Sequence, residues 1–99
     1  MSKVYTVPEL KELLTPIFER NGVRQAVLFG SYAKGTATPR SDVDILVDSG
    51  LRGLAFFGLL EDVASSLETP VDLLDVRQID SGSRIDREIH ESGVRIYGR

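Results

Sequence analysis

The chain has 99 residues, room for one compact domain spanning residues 1–99. It contains no cysteine, which excludes disulfides and thiolate–metal sites, and no apolar run approaches the roughly 20 residues of a membrane span. Its net charge of −3 argues against direct nucleic-acid binding as its main business, because phosphate backbones are held by an excess of Lys and Arg.

The first residues, Met1-Ser2-Lys3-Val4-Tyr5, lack the long apolar core of a secretory leader, so a cytoplasmic location is the default expectation. Thr6-Val7-Pro8-Glu9 then reads as a helix start, with Thr6 capping and Glu9 completing a capping box. Leu10, Leu13, Leu14, Ile17 and Phe18 recur on one helical face. Pro16 is expected to kink or split this helix, and Asn21-Gly22 to end it. Val23 to Phe29 is predicted to be a strand, and the continuous apolar run Ala26-Val27-Leu28-Phe29 suits a central, buried one. Ser31 to Lys34 should make one or two helical turns, Gly35 to Arg40 a loop, Val43 to Asp48 a second strand, and residues 49–53 a turn. From Leu54 to Leu67 the pattern is helical, with Leu54, Phe57, Leu60, Val63, Ala64 and Leu67 as its apolar stripe. Gly58 within it costs about 1 kcal/mol relative to Ala, which suggests a close packing contact there. Val71 to Val76 is the third strand and Arg84 to Ser92 the last helix, with Ile85 and Ile89 on one face. Val94 to Tyr97 is a short closing strand or an extended tail. This order predicts an α/β (α+β) domain, a small sheet flanked by helices.

The chemistry concentrates between Gly30 and Val47. The first strand ends at Gly30-Ser31, where a strand turning into a helix leaves backbone N–H groups free to meet an anion. After a loop rich in Gly, Thr and Pro, Ser41 introduces Asp42 and Asp44 at the head of the second strand. Side chains alternate along a strand, so Asp42 and Asp44 point to one side while Val43, Ile45 and Val47 point to the other. Paired carboxylates are hard oxygen ligands of the kind that suits Mg²⁺. A phosphate grip beside a metal grip outlines a nucleotide site. Asp48 lies on the same face but roughly 13 Å beyond Asp44, too far for direct ligation. Two-metal chemistry favours a third carboxylate, and the third strand offers Asp72 and Asp75, which alternation places on opposite faces.

Gly-Ser, ten further residues, then Asp-x-Asp resembles the signature of the DNA polymerase β-type nucleotidyltransferase superfamily. The wording LFGSYAKGTATPRSDVDILV is most similar to its minimal nucleotidyltransferases (MNT). The resemblance implies a mixed sheet of the polymerase-β palm type. It places the third carboxylate near the start of the third strand, at Asp72 rather than Asp75. It implies that ATP lies with its outer phosphates against Gly30-Ser31, and that two Mg²⁺ ions are held by Asp42, Asp44 and Asp72. An acceptor hydroxyl oriented by Asp72 then attacks the α-phosphorus and pyrophosphate leaves. Small MNT proteins are paired with a HEPN-domain toxin, an RNase-like helical protein. The implied role is therefore antitoxin, by transfer of AMP to a tyrosine of the toxin (AMPylation).

Each residue also has a plainer reading. Gly30 alone is a tight turn, Ser31 a helix cap and Asp42 a turn former; the joint spacing is what favours a nucleotide site. Arg40 and Lys34 flank the loop as candidate phosphate contacts or as solvated charges. Tyr32 either lines the nucleotide or packs. His90, between Glu88 and Glu91, reads as surface, as do Arg84, Arg87 and Arg95. The larger relatives of this core add a domain that holds the acceptor, for which 99 residues leave no room. The acceptor is then held by a shallow surface, by a second copy of the chain, or is itself a docking protein. Two alternatives stand beside the protein-modifying antitoxin: a nucleotidyltransferase acting on a small molecule or RNA, and a non-catalytic antitoxin that neutralises its partner by contact.

Overall fold

The structure, a computed structural model, describes residues 3–98. Helix α1 (Val7–Arg20) begins as its capping box dictates: Glu9 N–H donates to Thr6 Oγ1 at 3.2 Å and Thr6 N–H to Glu9 Oε1 at 2.8 Å. Pro16 neither splits nor ends the helix, contrary to expectation. It lies on the exposed face, where water can satisfy the carbonyl its missing N–H would have served. Leu10, Leu14, Ile17 and Phe18 are buried as the periodicity predicts, whereas Leu13 stays 42% exposed.

Strand β1 (Gln25–Phe29) leads into a short helix α2 (Gly30–Lys34), then β2 (Val43–Asp48), α3 (Gly53–Ser66), β3 (Val71–Asp75), one 3-10 turn at Val76–Gln78, α4 (Arg84–Ser92) and β4 (Val94–Tyr97). The four strands form one mixed sheet in the order β3-β2-β1-β4. β1 runs antiparallel to β2 and β4, while β2 and β3 are parallel. The C-terminal segment is thus a true edge strand, and β1 is central.

The sheet has two different faces. Ala26 and Leu28 of β1, Val43, Ile45 and Val47 of β2 and Leu73 of β3 are buried in one core cluster with Leu10, Leu14 and Phe18 of α1 and Leu59 and Val63 of α3. The opposite face carries Asp44, Leu46 and Asp48 of β2 and Asp72 and Leu74 of β3, all partly or fully exposed. Helices α2 and α4 both contact β1, and α2 also contacts β2.

Helix α3 corrects the predicted stripe. Its buried residues are Leu59 and Val63, joined by partly buried Phe56 and Leu60, whereas Leu54 is 89% and Phe57 55% exposed and Ala64 faces solvent. Residues spaced three and four apart fit two neighbouring phases when apolar side chains run almost all round a helix, and packing against α1 selects the other one. Gly58 makes no close contact: a β-carbon built there would meet nothing within 4 Å. The described residues contain no helix long and apolar enough to cross a membrane.

Candidate functional site

Three segments meet where β1 ends and β2 and β3 begin. Phe29 pairs with Asp44, and Asp44 with Asp72. One rung of the ladder therefore runs from the β1–α2 turn through two carboxylates on the open face. In a parallel pair, register partners project to the same side. Asp72 thus stands beside Asp44, while Asp75, three residues on, projects into the core.

Asp42 is brought to the same corner by the chain leading into β2. The turn from Thr38 to Ser41 is closed by Ser41 N–H donating to the Thr38 carbonyl and Thr38 N–H to Ser41 Oγ, both at 2.9 Å. The turn is tied to the start of β3: Val43 N–H donates to the Pro70 carbonyl at 2.9 Å, and Thr69 Oγ1 to the Ser41 carbonyl at 3.3 Å. Arg40 sits at the exposed tip of this turn, with its N–H donating to Thr38 Oγ1 at 3.2 Å.

Gly30 opens α2 in the left-handed region, at φ +71°. A β-carbon there would run into Asp44 Oδ2 and lie 3.2 Å from its Cγ. The glycine therefore does two things that no L-residue with a side chain does together: it turns the chain at positive φ and lets Asp44 sit directly against the backbone. Ser31 follows, partly exposed, in the first turn of α2.

Asp44 is electrostatically the least comfortable of these groups. Burial comes first, then the neighbouring charges of Asp72, Asp42 and Glu88, and together they push its carboxyl from 3.8 up to about 6. The donor set, three hard-oxygen carboxylates gathered where repulsion is already felt, is the chemistry that Mg²⁺ relieves. Among the described residues, no three acidic, histidine or cysteine side chains enclose a cation-sized point as they stand.

Asp75 has a separate job. It is 1% exposed and accepts from the Ser49 hydroxyl, from Ser49 N–H at 3.3 Å, and from the N–H and Nε of Arg77 at 3.1 and 3.3 Å. Burial raises its pKa, but these donors and the Arg77 charge outweigh it and hold the carboxyl below its ordinary value. It is a structural clasp between the ends of β2 and β3.

The remaining candidates resolve by placement. Tyr32 is 4% exposed, with its hydroxyl donating to the Lys3 carbonyl at 3.3 Å, so it packs rather than lining the open face. Asp48 pairs with Arg24 at 3.4 Å on the surface. His90 is exposed and lies 3.3 Å from Asp86. The residue that sequence reasoning missed is Glu88. Read as part of an exposed helix face, it is partly buried, reaches Lys34 at 4.0 Å and adds its charge to the repulsion on Asp44. Only the packing of α4 against α2 and β1 brings it there.

Residues 12–99 match the family described as Polymerase beta, Nucleotidyltransferase. Among curated proteins, the chain is 40% identical over 85 residues to the protein adenylyltransferase MntA of Thermococcus cleftensis, covering 78% of this chain and 84% of that one. It is 34% identical over 73 residues to the protein adenylyltransferase MntA of Shewanella oneidensis, covering 72% of this chain and 51% of that one. The chain spans about half the length of two of its curated relatives, 47% and 51%. Among solved structures, a toxin–antitoxin complex crystallised with AMP-PNP superposes with a TM-score of 0.76 at 28% identity, covering 90% of this chain and 73% of that one. With the Gly-Ser turn, the Asp-x-Asp strand and a mixed sheet all in place, the chain belongs to the polymerase β-type nucleotidyltransferase family.

Proposed function

We propose that the chain is a Mg²⁺-dependent protein adenylyltransferase that moves AMP from ATP to a hydroxyl of a partner protein, a tyrosine of a HEPN-domain RNase toxin, and so acts as an antitoxin. The observation that carries this reading is the Phe29–Asp44–Asp72 rung, with Gly30 pressed against Asp44. It gathers a backbone turn suited to phosphates and a carboxylate set suited to cations at one open corner. The relatives named protein adenylyltransferase and the toxin–antitoxin complex with AMP-PNP supply the direction: ATP as substrate and a protein as acceptor.

The residues divide the work. Backbone N–H groups at Gly30 and Ser31 meet the outer phosphates of ATP, and Arg40, on the exposed turn, lends a cation to them. Asp42, Asp44 and Asp72 are the residues that would hold Mg²⁺, which when bound would neutralise the triphosphate and make an acceptor hydroxyl more acidic. Asp72, the most exposed member of the rung, faces the side from which an acceptor arrives; it orients the hydroxyl and takes its proton. The hydroxyl oxygen forms the new bond to the α-phosphorus as the bond to pyrophosphate breaks. Positioning and charge neutralisation account for most of the acceleration.

The test is label transfer from ATP labelled at the α-phosphate, with Mg²⁺ and a HEPN-domain partner, read by intact mass. Gain of AMP units on a partner tyrosine, lost in Asp42→Asn/Asp44→Asn, is the expected result. A tight complex that protects without transfer, in wild type and double variant alike, would replace the enzyme with a contact antitoxin. Label on RNA or a small molecule but on no protein would move the acceptor to that class.

A further inference from the structure

Residues 3–6 form a strap ahead of α1, fixed to that helix by the Thr6–Glu9 capping box. Two buried tyrosines tie the strap to the rest of the fold. Tyr5 is 5% exposed, and its hydroxyl accepts from Glu68 N–H at 2.8 Å, 63 positions away in the chain. Tyr32, on α2, donates its hydroxyl to the Lys3 carbonyl. Both rings belong to the same core cluster. A phenylalanine would fill either space with no polar atom to satisfy, and a buried hydroxyl is costly unless it is bonded. What each hydroxyl adds is therefore a hold on a distant stretch of backbone.

The two holds fall on different halves of the site. Glu68 leads into Thr69 and Pro70, which bond the Ser41 carbonyl and Val43 N–H on either side of Asp42. Pro70 also stands two residues before Asp72. Asp42 and Asp72 both repel Asp44, so the backbone that carries them is held in place against that repulsion. Tyr32 instead follows Gly30-Ser31 directly in α2, the turn assigned to the phosphates. We infer that Tyr5 and Tyr32 are positioning residues, Tyr5 for the carboxylates Asp42 and Asp72 and Tyr32 for the Gly30-Ser31 turn. Their kinetic consequences rest on the adenylyltransferase reading, whereas their structural consequences rest on the hydrogen bonds alone.

The test is a pair of variants, Tyr5→Phe and Tyr32→Phe, each of which loses one hydroxyl and keeps its ring. With ATP, Mg²⁺ and a HEPN-domain partner, Tyr5→Phe is expected to lower kcat about tenfold, since small misplacements of reacting groups are costly. It should also raise the Mg²⁺ concentration needed for half-maximal rate and leave KM for ATP unchanged. Tyr32→Phe is expected to raise KM for ATP several-fold with kcat held. General destabilisation does not produce this split. Asn21→Ala, which removes bonds to the Ile17 carbonyl and Asp62, is the control: it should lower the thermal midpoint and move neither constant. Hydrogen exchange on the chain alone reads the same split without activity. Exchange should rise over residues 38–43 and 68–72 in Tyr5→Phe, and over residues 30–36 in Tyr32→Phe. That pattern in a chain that transfers no AMP would overturn the adenylyltransferase reading and uphold the positioning roles. Exchange that rises alike over both regions in both variants, or in neither, overturns the inference, as do parallel changes in kcat and KM in an active enzyme.

Discussion

Gly30 has no side chain because Asp44 occupies the space one would need. A β-carbon at position 30 would strike the Asp44 carboxylate, and the backbone there is held at φ +71°. Gly30→Ala therefore meets two penalties, the left-handed backbone at about 1–2 kcal/mol and a clash that Asp44 relieves only by leaving its place. We expect a modest loss of thermal stability and a large loss of transfer. Gly22, also at positive φ but with nothing within 4 Å, provides the control: Gly22→Ala should lower stability comparably and leave transfer intact. Equal losses of transfer in both variants would show that the Asp44 contact does not matter.

Asp44 also sets a pH dependence. Its folded value of about 6 lies above its ordinary 3.8, so folding disfavours the ionised form. Without a cation, the stability it contributes is complete below about 3.8 and is lost as pH rises through about 6. Asp44→Asn, isosteric and uncharged, should therefore be more stable than the wild type at neutral pH in EDTA, with the difference shrinking as pH falls below 6. Mg²⁺ binds the ionised form, so the thermal stabilisation it gives the wild type should fade over the same acid window. Midpoints measured with and without Mg²⁺ on either side of pH 6 check both; a Mg²⁺ effect independent of pH would place the cation away from Asp44.

The two aspartates of β3 should separate activity from stability. Asp72 is exposed and faces like charges, so Asp72→Asn is expected to abolish transfer while leaving the fold as stable or slightly more so. Asp75 is buried and accepts hydrogen bonds from Ser49 and Arg77, whose loss leaves polar groups unsatisfied at about 1–3 kcal/mol. Asp75→Ala should lower the midpoint of urea unfolding at neutral pH. Because its carboxyl is held below the ordinary value, the wild type's advantage over this variant should be present at neutral pH and decline as pH falls below about 3.8. A stable Asp75→Ala that fails in transfer would exchange the roles of the two residues.

Residue spacing made much of this legible. The capping box at Thr6 and Glu9, the span of β2 and the span of α4 follow from local rules, whereas the preference for Asp72 over Asp75 rests on the family resemblance, since alternation alone leaves both open. What stayed illegible depends on packing between distant elements. The phase of α3 is set by α1, which buries Leu59 and Val63 and turns Leu54 and Phe57 outward. Pro16 is harmless because its face of α1 is wet, a property no single-residue rule carries. Asp44 needs Gly30 through a register that places Phe29 opposite it, and strand order was not readable from periodicity.

Glu88 extends the same lesson to the site itself. It comes from the last helix, is partly buried, and adds negative charge near Asp44 while reaching Lys34 at 4.0 Å. Glu88→Gln removes that charge without changing shape. Asp44 then ionises more readily, so the acid limb of Mg²⁺-dependent stabilisation and of transfer should move to lower pH. Lys34 loses its partner and becomes freer to meet an anion, so the apparent KM for ATP should hold or fall rather than rise. Replacing Glu88 by Ala would mix this effect with lost packing, whereas Gln keeps the side-chain volume and isolates the charge. An acid limb that stays in place in Glu88→Gln would mean that α4 is only a prop for the sheet, with no electrostatic hold on the carboxylate corner.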